Sequence, residues 1–308
     1  EVSIVLPVYN ASKFLEHAIE SILNQSFSNF ELIIINDGST DSSLSIINTY
    51  ASLDSRILVI DRENKGLVHT LNEAISISKG QYIARMDADD ICLDNRLSLQ
   101  LEKMKKESLD ICGGHFILMS QGGMQNSLRV VPRTTDLISV ALATGVPFAH
   151  PSVMIRRDFL LDNSLLYGQS PYTGAEDLDL WHRMLQVGAK MGNVDEVILK
   201  YRVLSNSLSS TNSLQIFEDT YHMSMDYITK NNSNLLSVLE RIDYDMNNEE
   251  QFSLGKLIFR SIFLKRKFGY LKYIGKLNNV AVTRSLTSEV KFFISIVFSK
   301  INNKLSHI

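Results

Sequence analysis

Cysteine is nearly absent: Cys92 and Cys112 are the only two in 308 residues. They sit in no CxxC or CxxH pair, which excludes a disulfide framework and a zinc site and makes a reducing cytoplasm the expected compartment. The chain opens Glu1-Val2-Ser3 without a basic stretch ahead of an apolar core. A secretory signal is therefore not expected, and the missing Met fits a trimmed start. No apolar run approaches the roughly 18 residues of a membrane span. Glycine-rich nucleotide loops are lacking too: the segment after the first apolar run reads Pro7-Val8-Tyr9-Asn10-Ala11. Without GxGxxG a dinucleotide oxidoreductase is excluded. Without a Gly-rich loop bearing a basic residue, a sugar-nucleotide pyrophosphorylase is excluded as well. Internal repeats and low-complexity tracts are also missing.

What is present is enough apolar material for a large folded domain and an appendage, 44% of residues being hydrophobic. The net charge of -3 hides an asymmetry. Residues 251–308 carry 11 Lys and Arg against the single acid Glu289, or +10, which leaves -13 for residues 1–250. In that basic tail, segments 257–268 and 290–305 mix cations with Phe, Ile and Leu. Two uses fit such a pattern: an amphipathic face on an anionic membrane surface, or a stripe packed on the body of the protein. Nucleic acid is not an expected partner, because the acidic body would repel phosphates.

Over the first two hundred residues, apolar β-branched runs alternate with helical spacing. Residues 2–8, 31–36, 57–60 and 82–86 read as buried parallel strands, and 12–24, 41–53 and 67–78 as the helices between them. That alternation predicts an α/β fold with a mostly parallel sheet flanked by helices. A hairpin is expected from 111–119 and 127–131 around Gly122-Gly123, then a strand at 151–156. From about Asn206 onward only helices are expected, giving a catalytic domain over 1–205 and a helical basic region over 206–308.

Ligands of open parallel sheets bind beyond the carboxyl ends of the strands. Four chemistry-bearing segments fall there: Pro7-Val8-Tyr9-Asn10, Asn36-Asp37-Gly38-Ser39-Thr40-Asp41, Glu63-Asn64-Lys65-Gly66, and Arg85-Met86-Asp87-Ala88-Asp89-Asp90. The last packs three carboxylates into four positions, and like charges this close call for a cation. Each segment also has a plain structural use as a turn or helix cap. Their joint occurrence in this order, followed by Glu176-Asp177-Leu178-Asp179-Leu180-Trp181, resembles family 2 glycosyltransferases of the GT-A fold. The resemblance covers roughly residues 1–205 and extends to those of bacterial surface polysaccharides, the O-antigen and capsule type.

The resemblance implies a nucleotide-sugar site. Pro7 and Tyr9 flank the base with Asn10 beside them, Asp37 accepts from a uracil imide, and Asn64, Lys65, Arg85 and Ala88 border the donor. Asp87 is implied to hold the ribose, and Asp89 a Mg or Mn ion, for which hard carboxylate and phosphate oxygens are suited. Asp90 stays open between support and helix capping. Asp177 is implied to be the base that deprotonates the acceptor hydroxyl for in-line, inverting attack. Glu176 and Trp181 would shape the acceptor pocket, Arg183 would pair with a carboxylate or phosphate, and His150 would border the sugar.

One departure stands out. Family members often carry a metal-binding His shortly after Tyr201-Arg202, where this chain has Leu204. Asp89, the diphosphate and water are expected to hold the ion instead, with His222 as a remoter substitute, and binding without nucleotide is expected to be poor. The implied reaction moves a sugar from a UDP-sugar donor to a saccharide acceptor. A polyprenyl-diphosphate-linked acceptor at the cytoplasmic membrane face is one form of it. A non-catalytic carbohydrate-binding or assembly role on the same scaffold is the alternative, against which the set Asp37, Asp87, Asp89 and Asp177 argues.

Overall fold

A computed structural model describes residues 1–172, 174–204, 213–242 and 246–305, the side chains of 213 and 297–305 aside. The chain forms two compact units, one from residues 1–134 and 148–220, the other from 135–147 and 221–308. The boundary expected at 205–206 falls outside the described residues.

The first unit is built on one mixed sheet with helices on its faces. Its strands are β1 Val2–Val8, β2 Phe30–Asp37, β3 Ile57–Arg62, β4 Tyr82–Arg85, β5 Ile91–Cys92, β6 Ile111–Met119, β7 Gln125–Arg129, β8 Met154–Arg156 and β9 Met191–Arg202. They line up as β3-β2-β1-β4-β8-β6-β9-β5, with β7 paired to β6. The first four are mutually parallel. β1 and β2 are near-continuous Val, Ile and Leu because both faces of the sheet are covered. Helix α1, Leu15–Leu23, buries Leu15, Ala18, Ile19 and Ile22, a single face at helical spacing. β3 departs from the expected burial: it is the edge strand, with two of its six residues exposed and none fully buried. Pro7 is tolerated in a central strand because the β1–β4 ladder ends at the pair Val5 and Arg85, two residues earlier, so its missing N–H deprives no partner.

Beyond β4 the sheet turns antiparallel through β8, which begins later than expected because His150–Ser152 forms a 3-10 turn around Pro151. The hairpin of β6 and β7 forms as expected. The twelve-residue strand β9 was not expected; it pairs parallel with β6 and antiparallel with β5.

The second unit is helical. Its helices are α5 Thr135–Leu142, the 221–230 part of α8 Ser213–Lys230, α9 Asn232–Arg241, α10 Asn248–Lys265 and α11 Asn279–Leu305, with a 3-10 segment at Phe268–Lys276. Asn247 opens α10 with a capping box, accepting from Glu249 and Glu250 N–H while Glu250 accepts from the Asn247 N–H. A buried ion pair joins α10 to α11, Arg260 donating to both oxygens of Glu289 at 2.7 and 2.9 Å. No helix among the described residues is long and apolar enough to cross a membrane.

Candidate functional site

The first three strand ends are tied to one another. Asn10 has φ +49°, a conformation Asn tolerates better than most residues. Its Oδ1 accepts from the Thr40 N–H at 2.7 Å, and its own N–H donates to Ser39 Oγ at 3.0 Å. One turn on, Asp41 accepts from the N–H groups of Ser12 and Ser43. Burial opposes its charge, but the bonds from Ser43 and Ser12 hold its carboxyl down at about 2. Tyr9, just before this knot, keeps its ring 55% exposed and open to a flat partner.

Asp37, at the end of β2, ties the third loop. Its Oδ1 accepts from the Lys65 N–H at 2.8 Å and its Oδ2 from the Gly66 N–H at 2.9 Å, and the Arg62 guanidinium pairs with it. Burial works against the charge, while the Lys65 N–H, Arg62 and the Gly66 N–H outweigh it and keep the carboxyl below its usual range. Arg62, which the sequence did not single out, also pairs with Glu73 and donates to Thr70. Oδ2 of Asp37 keeps a lone pair for one more donor. Gly38 is required here: its φ is +73°, and a Cβ would lie 2.6 Å from the backbone nitrogen of Asn64.

β4 delivers the acidic cluster. Arg85 is buried, and two of its guanidinium nitrogens hold both oxygens of Asp87 at 2.5 Å. Ala88 is buried between the acids. Asp89 and Asp90 follow, and one carboxylate oxygen from each of the three acids lies within 4.8 Å of the others. Burial, then the Asp87 charge, raises the Asp89 carboxyl to about 6. Burial, then Asp87 and Asp89, raises that of Asp90 well above its usual range. Oδ1 of Asp90 accepts from the Arg202 N–H at 2.7 Å, but its buried Oδ2 has no hydrogen-bond partner. Arg202, at the end of β9, also donates to the Asp89 carbonyl at 2.7 Å and lies 4.3 Å from the Phe14 ring centroid.

These residues fit a divalent cation. Three crowded carboxylates, two reluctant to ionise and one presenting a buried orphan oxygen, are what a hard ion would relieve. Asp89 and the free oxygen of Asp90 are the groups placed to hold it, since Asp87 is spent on Arg85. Leu204 offers no ligand, and His222 belongs to the second unit.

The opposite wall comes from residues 148–186. Asp177 and Glu176 sit in the first turn of helix α7, Glu176–Gln186. Oδ1 of Asp177 accepts from the Leu178 N–H at 2.7 Å. Burial first, and the charge of Glu176 second, lift the Asp177 carboxyl to about 6, while Arg85 pulls the other way. Asp177 is thus within electrostatic reach of the residue that holds Asp87. Nε2 of His150 lies 2.9 Å from the Tyr167 hydroxyl, and Nδ1 is 3.9 Å from Glu176. Burial, then Arg85, holds His150 far below its usual pKa, so the imidazole is neutral and the contact with Glu176 is not an ion pair. Trp181 is fully buried and packs edge-on against Phe148 and His150. It supports the wall from within the core. Arg183 finds its carboxylate in Asp179 at 2.7 Å and also binds the Leu166 carbonyl, fixing the loop before α7.

Tyr167 is a second residue, after Arg62, that sequence reasoning missed. Asn72, on helix α3 Leu67–Ile77, clamps its backbone with two 3.0 Å hydrogen bonds. Gly168 then turns with φ +73°, close against Val68. Arg85, Asp177, Glu176 and Asp87 all act on the buried Tyr167 hydroxyl. The structure therefore brings Arg85, Asp87, His150, Glu176 and Asp177 around one tyrosine, while Asn10, Asp37, Asn64 and Lys65 form a neighbouring rim at the ends of β1, β2 and β3.

Residues 3–165 match the description Glycosyl transferase family 2. The O-antigen biosynthesis glycosyltransferase WbnJ of Escherichia coli is 31% identical over 245 residues, covering 77% of this chain and 93% of WbnJ. Glycosyltransferase GlyG of Streptococcus pneumoniae serotype 4 is 36% identical over 220 residues, 68% of this chain and 73% of GlyG. Among solved structures, residues 1–349 of S. aureus TarS in complex with UDP-GlcNAc superpose with a TM-score of 0.60 at 17% identity, covering 95% of this chain and 80% of that one. At that identity the likeness is one of fold.

Proposed function

Because the chain belongs to glycosyl transferase family 2, we propose that it transfers a sugar from a UDP-sugar to a saccharide hydroxyl with inversion, using Asp177 as the base. The observation that carries this reading is the Asp177 carboxyl, raised to about 6 at a helix start within reach of the Arg85 and Asp87 pair. A base with a pKa just below neutrality is ionised at working pH and still able to take a proton in the transition state.

This chain's own residues divide the work as follows. Tyr9 stacks on the base, and the spare lone pair of Asp37 Oδ2 accepts from the uracil imide. Asp37 meanwhile keeps the Asn64-Lys65-Gly66 loop in place at the donor. Arg85 fixes the Asp87 carboxylate toward the ribose. Neutral His150, held by Tyr167 and backed by Trp181, borders the transferred sugar without adding a charge. Asp177, flanked by Glu176, removes the acceptor proton as its oxygen attacks from the face opposite the diphosphate. Asp89 and Asp90 would hold Mg or Mn, which when bound neutralises charge on the departing diphosphate.

TarS, captured with UDP-GlcNAc, supports a UDP donor, and WbnJ, named for O-antigen biosynthesis, supports a bacterial surface polysaccharide as the product. The acceptor in this reading is linked to polyprenyl diphosphate at the cytoplasmic face of the cell membrane. The test is UDP release from a panel of UDP-glucose, UDP-galactose and their N-acetyl forms, with Asp177→Ala and Asp89→Ala as controls. Loss of turnover in both folded variants is expected. Full activity in both would overturn the roles given to Asp177 and Asp89, and no UDP release by the wild-type chain from any donor would leave the non-catalytic scaffold as the better reading.

A further inference from the structure

The second unit leaves apolar surface open where its charge is most one-sided. α11 buries Ala281, Ser285, Glu289 and Ile296 as one stripe. A further row on the same helix, Leu286, Val290 and Phe293 with Ile294 beside it, stays between 38% and 46% exposed. Packing within the unit therefore covers one mixed stripe of this helix and leaves the apolar row open. Phe263, near the end of α10, is 39% exposed, and Phe268 and Leu271 in the following 3-10 segment are 61% and 48% exposed.

Phe263 and Phe293 lie toward a common end of the helix pair. Glu249 pairs with Arg284, the Phe252 carbonyl accepts from Ser285, and Arg260 meets both Glu289 and Phe292. Contacts that advance together along both helices mean that α10 and α11 run in the same direction. Phe263 and Phe293 thus both follow the Arg260–Glu289 bridge.

The charges that residues 251–308 themselves bring there are cations. The only acidic side chain in residues 251–308 is Glu289, and it is 2% exposed and bonded to Arg260. Lys272 and Arg284 have partners in Glu240 and Glu249. Lys265, Arg266, Lys267 and Lys291 make no ion pair among the described residues.

We propose that this face docks on an anionic lipid bilayer, with Phe263, Phe268, Phe293 and Ile294 at the acyl boundary and Lys265, Arg266, Lys267 and Lys291 among the headgroups. A second copy of the chain is the poorer occupant, since self-pairing would set two unneutralised cationic faces against each other. The inference deepens the membrane-face reading given above and rests on it for its purpose, but its test needs no catalysis. Each cation brought to an anionic surface raises affinity about five-fold, so the four together are worth several hundred-fold, most of which is screened at high salt.

The experiment is co-sedimentation of the full chain with vesicles of phosphatidylcholine alone or with about a third phosphatidylglycerol, at roughly 0.05 M and 0.5 M salt. Two variants accompany it: Lys265→Gln/Lys267→Gln/Lys291→Gln, and Phe268→Ser/Phe293→Ser. None of these residues belongs to the catalytic site, so UDP-sugar hydrolysis and Trp181 fluorescence report on the first unit, and helical circular dichroism with its urea transition reports whether the second is folded in each variant. Binding to anionic vesicles only, lost at high salt, weakened about 100-fold in the lysine variant and at least ten-fold in the phenylalanine variant, is the expected result. The inference is overturned if the wild-type chain stays in the supernatant, if neutral vesicles bind it equally, or if both folded variants bind like wild type. A wild-type dimer that dissociates on Phe293→Ser would overturn it too. Vesicle binding without sugar transfer would count against the proposed function alone, and transfer without vesicle binding against this inference alone.

Discussion

Replacing Asp177 by Asn should make the protein more stable and less active, and both effects can be sized. The carboxyl moves from its usual 3.8 to about 6 on folding. At about 1.4 kcal/mol per unit, an ionised Asp177 costs the native state up to about 3 kcal/mol, and about 1–3 once partial exposure and the favourable helix N-terminus are allowed for. Asn keeps an acceptor for the Leu178 N–H and carries no charge. The sign follows from proton binding. Between pH 4 and 6 the folded chain still holds the Asp177 proton that the unfolded chain has lost, so wild-type stability falls across that window and levels off above it. The Asn variant skips that fall. Its advantage should therefore be small near pH 4, roughly half-grown at pH 5 and complete by about pH 7. Urea denaturation followed by Trp181, the sole tryptophan and fully buried, measures it at pH 5 and 7.5. Turnover should drop by about 10²–10⁴. A variant no more stable than wild type at pH 7.5, or equally favoured at both pH values, would refute the reasoning about Asp177.

Three further outcomes are expected. Turnover should rise with pH to a plateau above about 6, and Glu176→Gln should move that rise to lower pH, because the neighbouring charge is the second cause of the shift; an unmoved profile in a pH titration of turnover would show that burial alone sets it. Gly38→Ala should cost about 2–4 kcal/mol, a positive φ and a 2.6 Å approach to Asn64 acting together, and urea midpoints would show it. Calorimetric titration of Mn should find weak binding to the empty protein and much tighter binding once UDP is present, since among the described residues Asp89 and one oxygen of Asp90 are the groups left to hold the ion once Arg85 has taken Asp87; tight binding without nucleotide would contradict that ligand set.

The parts of the fold that could be read from the chain are those whose cause is local. β1, β2 and β4 announce themselves because a strand buried on both faces must be apolar throughout, and their ends carry turn chemistry that a neighbouring helix start reinforces. β9 does not, because Asn193, Asp195, Glu196 and Lys200 interrupt its apolar run, and what makes it a strand is pairing with β6 and β5. α5 was invisible as a member of the helical unit for a similar reason: it lies inside the catalytic stretch of sequence, and its partners follow some eighty residues later, where Ser139 and Ala143 accept from Tyr227 and Ser224.

The site divides along the same line. Asp37, Asp87, Asp89 and Asp177 were legible as residue types in motif order, but their states were not. Asp37 keeps its charge because Arg62 and the Lys65 and Gly66 N–H groups, 25, 28 and 29 residues away, close on it. Tyr167 reaches the site only because Asn72, 95 residues earlier, clamps its backbone. Asp177 has local influences in Glu176 and the Leu178 N–H and nonlocal ones in burial, the largest, and Arg85, and the nonlocal pair required the folded chain. Motif order thus says which groups meet, and packing decides which of them arrive charged. For a base that must be ionised yet still willing to take a proton, that second decision is the one on which turnover depends.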